Sequence, residues 1–200
     1  MVGRPSQAPR DAAPDDGEPS DEALVTLAQH DRAAFAHLYR RYAPAIYRYC
    51  DRALGDQTAA EEVTQTVFLR ALTALPSCRD GHAFRPWLFA IAHNAIADAR
   101  RARRLLVPLE GALDVPDSAA SPEDLALAGV ERREITALLA HLQDQERAII
   151  ELRLAGLRGK EIAHALGRNE GAVRTAQYRA VQHLRALLAN QEREVSHVAR

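Results

Sequence analysis

The side chains between positions 160 and 179 have the chemistry needed to recognise nucleic acid. Arginine can donate two hydrogen bonds to guanine O6 and N7, and a glutamate can accept from cytosine N4. Arg174 and Glu170 have these capacities, whereas Lys160 and Arg168 are better placed for phosphates, which position a protein without specifying sequence. The predicted DNA contacts of this segment are Lys160, Arg168, Asn169, Glu170, Gly171, Arg174, Thr175, Tyr178 and Arg179.

Two predicted helices position these side chains. The first has an apolar face from Leu157 to Leu166, and Gly167 permits the positive φ of a tight turn. The second has an apolar stripe that runs from Val173 through Ala180 to Leu188. The pattern is typical of a helix-turn-helix, in which the second helix enters the major groove. The simpler alternative is a helical hairpin with a solvated, charged face.

A second group of basic residues ends a predicted helix at 84–104. Trp87, Leu88 and Ile91 lie on its apolar face, and four arginines gather at its C-terminus. Cations there suit the helix dipole, and they would also bind phosphates. A membrane-surface helix fits poorly, because the basic residues are concentrated at one end. The polar residues singled out on this helix are Arg85, His93, Asn94, Asp98, Arg100, Arg101, Arg103 and Arg104.

Composition argues against several classes of protein. No stretch is long and apolar enough to span a membrane, and the acidic N-terminus has no apolar core of a signal peptide, so we expect a cytoplasmic protein. Cys50 and Cys78 lie far apart and are expected to be reduced. His82, His93 and Asp98 lack the spacing of a metal motif, and no nucleotide-binding or nucleophile motif occurs. We therefore predict no catalytic residues, no metal and no cofactor.

The order of helical segments, capping residues and linker along the chain predicts two all-α domains. Residues 1–20 lack periodicity and are expected to be disordered, and helices then fill residues 21–104. Residues 105–121 contain three acidic and no basic residues, which indicates a flexible acidic linker. A second helical domain follows at 122–190, before a short tail at 191–200. Ser20, Thr58 and Asp144 are predicted helix caps, while Gly55 and Gly156 are predicted to end helices.

The string GLRGKEIAHALG (156–167) resembles two families, the output domain of response-regulator transcription factors and the C-terminal domain of bacterial sigma factors. LQDQERAIIELRLAGL (142–157) and the pair Arg179-Ala180 favour sigma factors. The segments EEVTQTVFL (61–69) and FRPWLFAIAHNAIADARR (84–101) resemble the extracytoplasmic-function (ECF) branch of the sigma-70 family. This resemblance covers roughly residues 21–104 and 128–188.

The resemblance implies a fold, a function and partners. The first domain would be a sigma2-like helical bundle and the second a sigma4-like helix-turn-helix. Glu61, Glu62, Gln65 and Leu69 would bind the β′ subunit of core RNA polymerase, and the C-terminal domain would lie on the β subunit. The helix at 84–104 would face the −10 element and the helix-turn-helix the −35 element. The chain would thereby promote DNA melting for transcription initiation. An anti-sigma factor is an implied partner.

Four positions depart from the family pattern. Arg168 stands where an apolar residue is usual, Thr66 replaces a commonly acidic residue, and Ala176-Gln177 replace a basic-apolar pair. Promoter preference is expected to diverge from that of relatives at Arg168 and at Ala176-Gln177. The alternative function is a stand-alone helix-turn-helix regulator with an N-terminal ligand or partner domain.

Overall fold

The computed structural model describes residues 19–78, 81–106 and 134–198, and these ranges are helical apart from short turns. The N-terminal half contains four α-helices with short 3₁₀ segments between them. They are α1 (Asp21–His30), a 3₁₀ turn (Arg32–Ala34), α2 (Phe35–Leu54), α3 (Gln57–Ala74), two further 3₁₀ turns (Leu75–Ser77 and Gly81–Ala83) and α4 (Phe84–Leu106).

The C-terminal half adds four more helices. They are α5, which is described over 134–140, α6 (Asp144–Leu154), α7 (Gly159–Ala165) and α8 (Glu170–Val198). The tail at 1–18, most of the linker and the predicted helix start at Ser121-Pro122 lie outside the described residues. Helix α8 runs to Val198, beyond the end near Asn190 that the sequence predicted.

The caps of the N-terminal half follow the sequence with one exception. The Ser20 hydroxyl accepts from the backbone of Ala23, and Gly55 ends α2 with φ of 69°. The predicted cap at Thr58 is wrong, because Asp56 has the extended backbone of an N-cap and its carboxylate accepts from Ala59 N at 3.0 Å. Asp56 directly follows the glycine and reaches the first free N–H groups before Thr58 can.

Glycines and caps also define the C-terminal helices. Gly156 and Gly167 have φ of 86° and 61°, so both predicted turns are confirmed. The predicted cap at Asp144 is wrong: Gln143 is the N-cap, without a side-chain hydrogen bond, and Asp144 is the first helical residue. An acid at that position still suits the positive end of the helix dipole.

The larger apolar cluster of the described residues joins the two halves. Its fully buried members include Leu38, Ile46 and Leu88 from the N-terminal half and Leu157 and Ile162 from the C-terminal half. Helix α7 packs against α4, and α6 touches α2. A smaller cluster of Leu139, Leu142, Ile150 and Ala180 holds α8 against α5 and α6. The exposed side of α8 is therefore fixed by burial of its opposite side.

Candidate nucleic-acid interface

Helix α8 presents four of the predicted DNA contacts on one exposed face. Val173, Ala176 and Ala180 are buried beneath it. With about 100° of rotation per residue, positions 174, 175, 178 and 179 lie on the opposite, outward side of the helix. The exposed set, called the recognition face below, is Arg174, Thr175, Tyr178 and Arg179. Tyr178 is 67% exposed, which is unusual for a large aromatic side chain with no packing role.

The residues at the start of α8 have structural contacts of their own. The Asn169 side-chain oxygen accepts from Ala172 N at 2.7 Å and thereby caps the helix. A methyl group added at Gly159 would lie 3.7 Å from a carboxylate oxygen of Glu170, so this acid is directed toward the start of α7. Asn169 therefore caps α8, Glu170 lies beside the start of α7, and the exposed Arg168 and Lys160 flank the helix-turn-helix.

Helix α4 divides its predicted DNA residues between two environments. Arg85, His93 and Arg100 are partly buried, and two of them contact the C-terminal half. An Arg85 nitrogen donates to the Ala155 carbonyl at 3.3 Å and another lies 3.6 Å from a Glu161 oxygen. The exposed residues of the set are Asn94, Asp98, Arg101 and Arg103, and the side chain of Arg104 lies outside the description.

Arg100 and Glu151 form a partly buried ion pair between the halves. An Arg100 nitrogen donates to the Ala53 carbonyl at 2.6 Å and to Glu151 Oε1 at 3.3 Å. The Glu151 side chain is only 3% exposed, whereas that of Arg100 is 29% exposed. Burial raises the pKa of the Glu151 carboxyl even though Arg100 and Arg147 lower it. The pair therefore joins the halves at an electrostatic cost.

His93 lies in the same region, where its surroundings favour the neutral imidazole. Its Nδ1 is 3.4 Å from the Tyr49 hydroxyl oxygen. Burial, with a smaller effect of the Arg100 charge, lowers the pKa of His93. Burial likewise raises the pKa of Tyr49. A neutral imidazole offers one donor and one acceptor, so it suits hydrogen bonding better than phosphate binding.

Helix α3 carries a separate exposed surface, called the α3 surface below. It consists of Glu61, Glu62, Gln65 and Leu69. Leu69 is 67% exposed, while Phe68 beside it is buried. Three acidic or amide groups lie with an exposed leucine on one face of α3, apart from the recognition face of α8.

The sequence missed several residues that support these surfaces. Tyr39 of α2 is 45% exposed and packs edge-on against Phe68, with ring centroids 4.7 Å apart, so it borders the α3 surface. Arg70 donates to Asp98 at 2.9 Å and thus ties α3 to α4. Arg153 contacts the inner side of α8. Tyr39 could have been found from the sequence, because it is an aromatic residue outside the apolar stripe of α2. The contacts of Arg70 and Arg153 could not, because their partners lie on other helices.

The described part of the chain contains no metal-binding cluster and no helix that could span a membrane. Within residues 19–78, 81–106 and 134–198, no group of three or more His, Cys, Asp or Glu residues is arranged to hold a metal ion. No helix in those ranges is long and apolar enough to cross a bilayer.

Family comparison identifies both halves. Residues 38–105 match the family Sigma-70 region 2, and residues 132–184 match Sigma-70, region 4. The chain is 37% identical over 175 residues to the ECF RNA polymerase sigma factor BldN of Streptomyces coelicolor, covering 85% of this chain and 66% of BldN. It is 35% identical over 177 residues to SigD of Mycobacterium tuberculosis, an ECF RNA polymerase sigma factor, covering 84% of each protein.

Solved structures share the fold. CnrH, in complex with the cytosolic domain of CnrY, superposes with a TM-score of 0.65 at 28% identity, covering 85% of this chain and 97% of CnrH. The sigma factor RpoE, bound to the anti-sigma factor NepR from Bartonella quintana, gives 0.62 at 22% identity, covering 78% and 96%. These matches confirm the all-α arrangement of a region 2 bundle and a region 4 helix-turn-helix, and they favour a sigma factor over a stand-alone regulator. The chain belongs to the ECF sigma factors of the sigma-70 family, which direct RNA polymerase in transcription initiation.

Proposed function

We propose that this chain binds core RNA polymerase through the α3 surface and binds promoter DNA through α8 and α4. The observation that carries the proposal is the separation of these surfaces in a chain that matches both sigma-70 regions. The domains would be 21–104 for polymerase and the −10 element and 122–190 for the −35 element, joined by the linker at 105–121.

The α3 surface has the character of a partner site. Leu69 exposes most of its side chain, and Glu61, Glu62 and Gln65 surround it with polar groups. An apolar anchor inside a polar rim is the usual anatomy of a protein interface. The β′ subunit is the proposed partner of this surface, while the C-terminal half would lie on β.

The −35 element would be bound by the recognition face. Arg174 and Arg179 are exposed and can read base edges or phosphates. Lys160 and Arg168 would add phosphate contacts at the flanks. Asn169 and Gly171 would approach the DNA backbone from the start of α8, where N–H groups favour anions. The Glu170 carboxylate would accept a hydrogen bond from a cytosine N4.

The −10 element would be bound along α4. Exposed Arg101 and Arg103 would hold phosphates, together with Arg104, while Asn94 and Asp98 lie where a base edge could approach. Arg85, His93 and Arg100 would join this surface once their contacts with neighbouring groups are released. Melting of the −10 element would unstack a base. Unstacking costs roughly a few kcal/mol of free energy, which contacts with the protein must offset. The loop at 76–83, part of which is described, is the proposed pocket.

Further partners and properties belong to the same proposal. An anti-sigma factor is a proposed partner, supported by the complex of CnrH with a domain of CnrY. A cytoplasmic location and the absence of catalytic activity of its own are proposed from the function of sigma factors. A bound cofactor is not part of the proposal.

Two exposed leucines provide the test of the polymerase surface. Leu69→Arg, alone or with Glu62→Lys, should weaken binding to core polymerase by roughly tenfold or more, as expected for an interface anchor. Leu27 of α1 is 52% exposed, so Leu27→Arg is the matched control and should bind like the wild type. Binding is measured by fluorescence anisotropy of the labelled full-length chain. Equal affinity of the folded Leu69 variant and the wild type would exclude the α3 surface.

A further inference from the structure

Arg153 of α6 connects three elements of the helix-turn-helix. Its Nη1 donates to the carbonyl of Leu157 at 3.0 Å, in the turn that leads to α7. Its Nη2 donates to Oε1 of Gln177 at 2.9 Å, on α8. One planar guanidinium thus fixes the turn and α8 at the same time, which a flexible single-point donor such as lysine could not do equally well.

Gln177 lies at the edge of the buried side of α8. Ala176 and Ala180 beside it are buried, whereas Tyr178 and Arg174 are exposed. Because Arg174 is one helical turn before Gln177, any rotation of α8 at this point changes the direction of the recognition face. The side-chain oxygen of Gln177 points inward to Arg153, so this residue acts from behind the DNA-contacting surface.

The contact between Arg153 and Gln177 depends on the burial of the guanidinium and on the glutamine at position 177. The Arg153 Nε is buried without a hydrogen-bond partner, so its two Nη contacts must hold the guanidinium against the cost of burial. A methyl group added at Gly159 would lie 4.0 Å from Arg153 Nη2 and 3.7 Å from Glu170 Oε1, so the start of α7 also closes over the pair. Gln177 stands where the family pattern has an apolar residue, which could not accept this bond.

We propose that Arg153 is a positioning residue for −35 recognition and that it acts through Gln177. The pair sets the rotation of α8 and thereby determines which bases Arg174 and Tyr178 meet. This inference rests on the proposed function of α8 as the −35 helix. It assigns promoter preference partly to two residues that need not touch DNA.

The test selects −35 sequences from DNA with a randomised upstream element, using full-length chain assembled with core polymerase. Arg153→Met and Gln177→Leu should each reduce discrimination between the preferred and disfavoured −35 sequences by roughly three- to tenfold, the range expected from one lost hydrogen bond. The double variant should lose little more than either single variant, because both remove the same bond. Arg153→Lys should recover part of the discrimination.

Matched substitutions on the same helix are the controls. Gln182 and Arg185 are exposed on α8, so Gln182→Leu and Arg185→Met should keep the wild-type preference. A purely structural role would lower the thermal midpoint without changing the selected sequence. Unchanged preference in folded Gln177→Leu would overturn the positioning role, and Gln177 is only partly buried, so that variant should fold. A wild-type holoenzyme that selects no upstream sequence would instead overturn the proposed function, and the positioning role would fall with it.

Discussion

Arg174 is the exposed arginine nearest the start of the recognition face, and its contribution can be measured at one base pair. Arg174→Ala should cost about 1–3 kcal/mol of binding if the guanidinium makes a bidentate contact with a guanine. The loss should be confined to promoters with the preferred base at one −35 position. Competition binding of holoenzyme to promoters that vary one position at a time provides the measurement. An equal loss on every sequence would show that Arg174 contacts phosphate.

His93 gives the protein a defined dependence of stability on pH. Burial lowers its pKa below the ordinary value of about 6.5, so the unfolded chain binds the proton more tightly than the folded chain. The stability that neutral His93 provides is present above the unfolded pKa and is lost as the pH falls below it. The free energy of unfolding should therefore decrease from pH 7.5 to 5.5. Glu151, with its raised pKa, acts in the opposite direction, because the folded chain binds its proton more tightly than the unfolded chain does.

Substitution isolates the His93 contribution. His93→Gln should make the loss of stability between pH 7.5 and 5.5 smaller, as measured by urea denaturation at each pH. His141 is exposed, so His141→Gln should leave the pH dependence as in the wild type. An identical pH dependence of His93→Gln and the wild type would mean that His93 titrates normally in the folded protein.

At the scale of the helices, the cap of α3 differs between the sequence prediction and the structure. Asp56 accepts the hydrogen bond from Ala59 N, whereas Thr58 is exposed within α3. Asp56→Ala should therefore lower the free energy of unfolding by about 1 kcal/mol, and Thr58→Ala should change it by less than about 0.5 kcal/mol. Chemical denaturation monitored by circular dichroism measures both. A larger loss of stability for Thr58→Ala than for Asp56→Ala would show that Thr58 caps α3, as the sequence predicted.

The helices and their turns could largely be predicted from the sequence. Apolar stripes such as Val173, Ala176 and Ala180 indicated helices and their buried sides, and Gly55, Gly156 and Gly167 marked turns that only a positive φ allows. These are local signals. The contacts of Glu151 and Arg153 could not be predicted, because the sequence ELR in the last turn of α6 is also typical of a solvated, charged helix, and its partners come from other elements.

At the scale of the whole molecule, two proposed DNA residues contact the opposite half. Arg85 bonds to Ala155 and lies beside Glu161, and Arg100 bonds to Glu151. These arginines cannot meet −10 DNA while they hold the C-terminal half. We therefore expect a closed free chain that opens when polymerase and promoter bind.

A distance measurement distinguishes closed from open chains. Cys50 and Cys78 are buried, so labels can be directed to Thr73→Cys on α3 and Gln182→Cys on α8, two exposed positions. The free chain should give one narrow distance distribution, and holoenzyme on promoter DNA should give a longer distance. A broad distribution in the free chain would show that the halves move independently.

Promoter-specific transcription is the most direct test of the central claim that this chain is the initiating sigma factor of a polymerase. Full-length chain, core RNA polymerase and a genomic DNA library are combined, and transcript start sites are sequenced. Transcripts are expected to start at a set of promoters with shared upstream and −10 elements. These starts should depend on the chain and be lost with Leu69→Arg. Specific DNA binding by the chain alone, unchanged by polymerase and without new start sites, would contradict it.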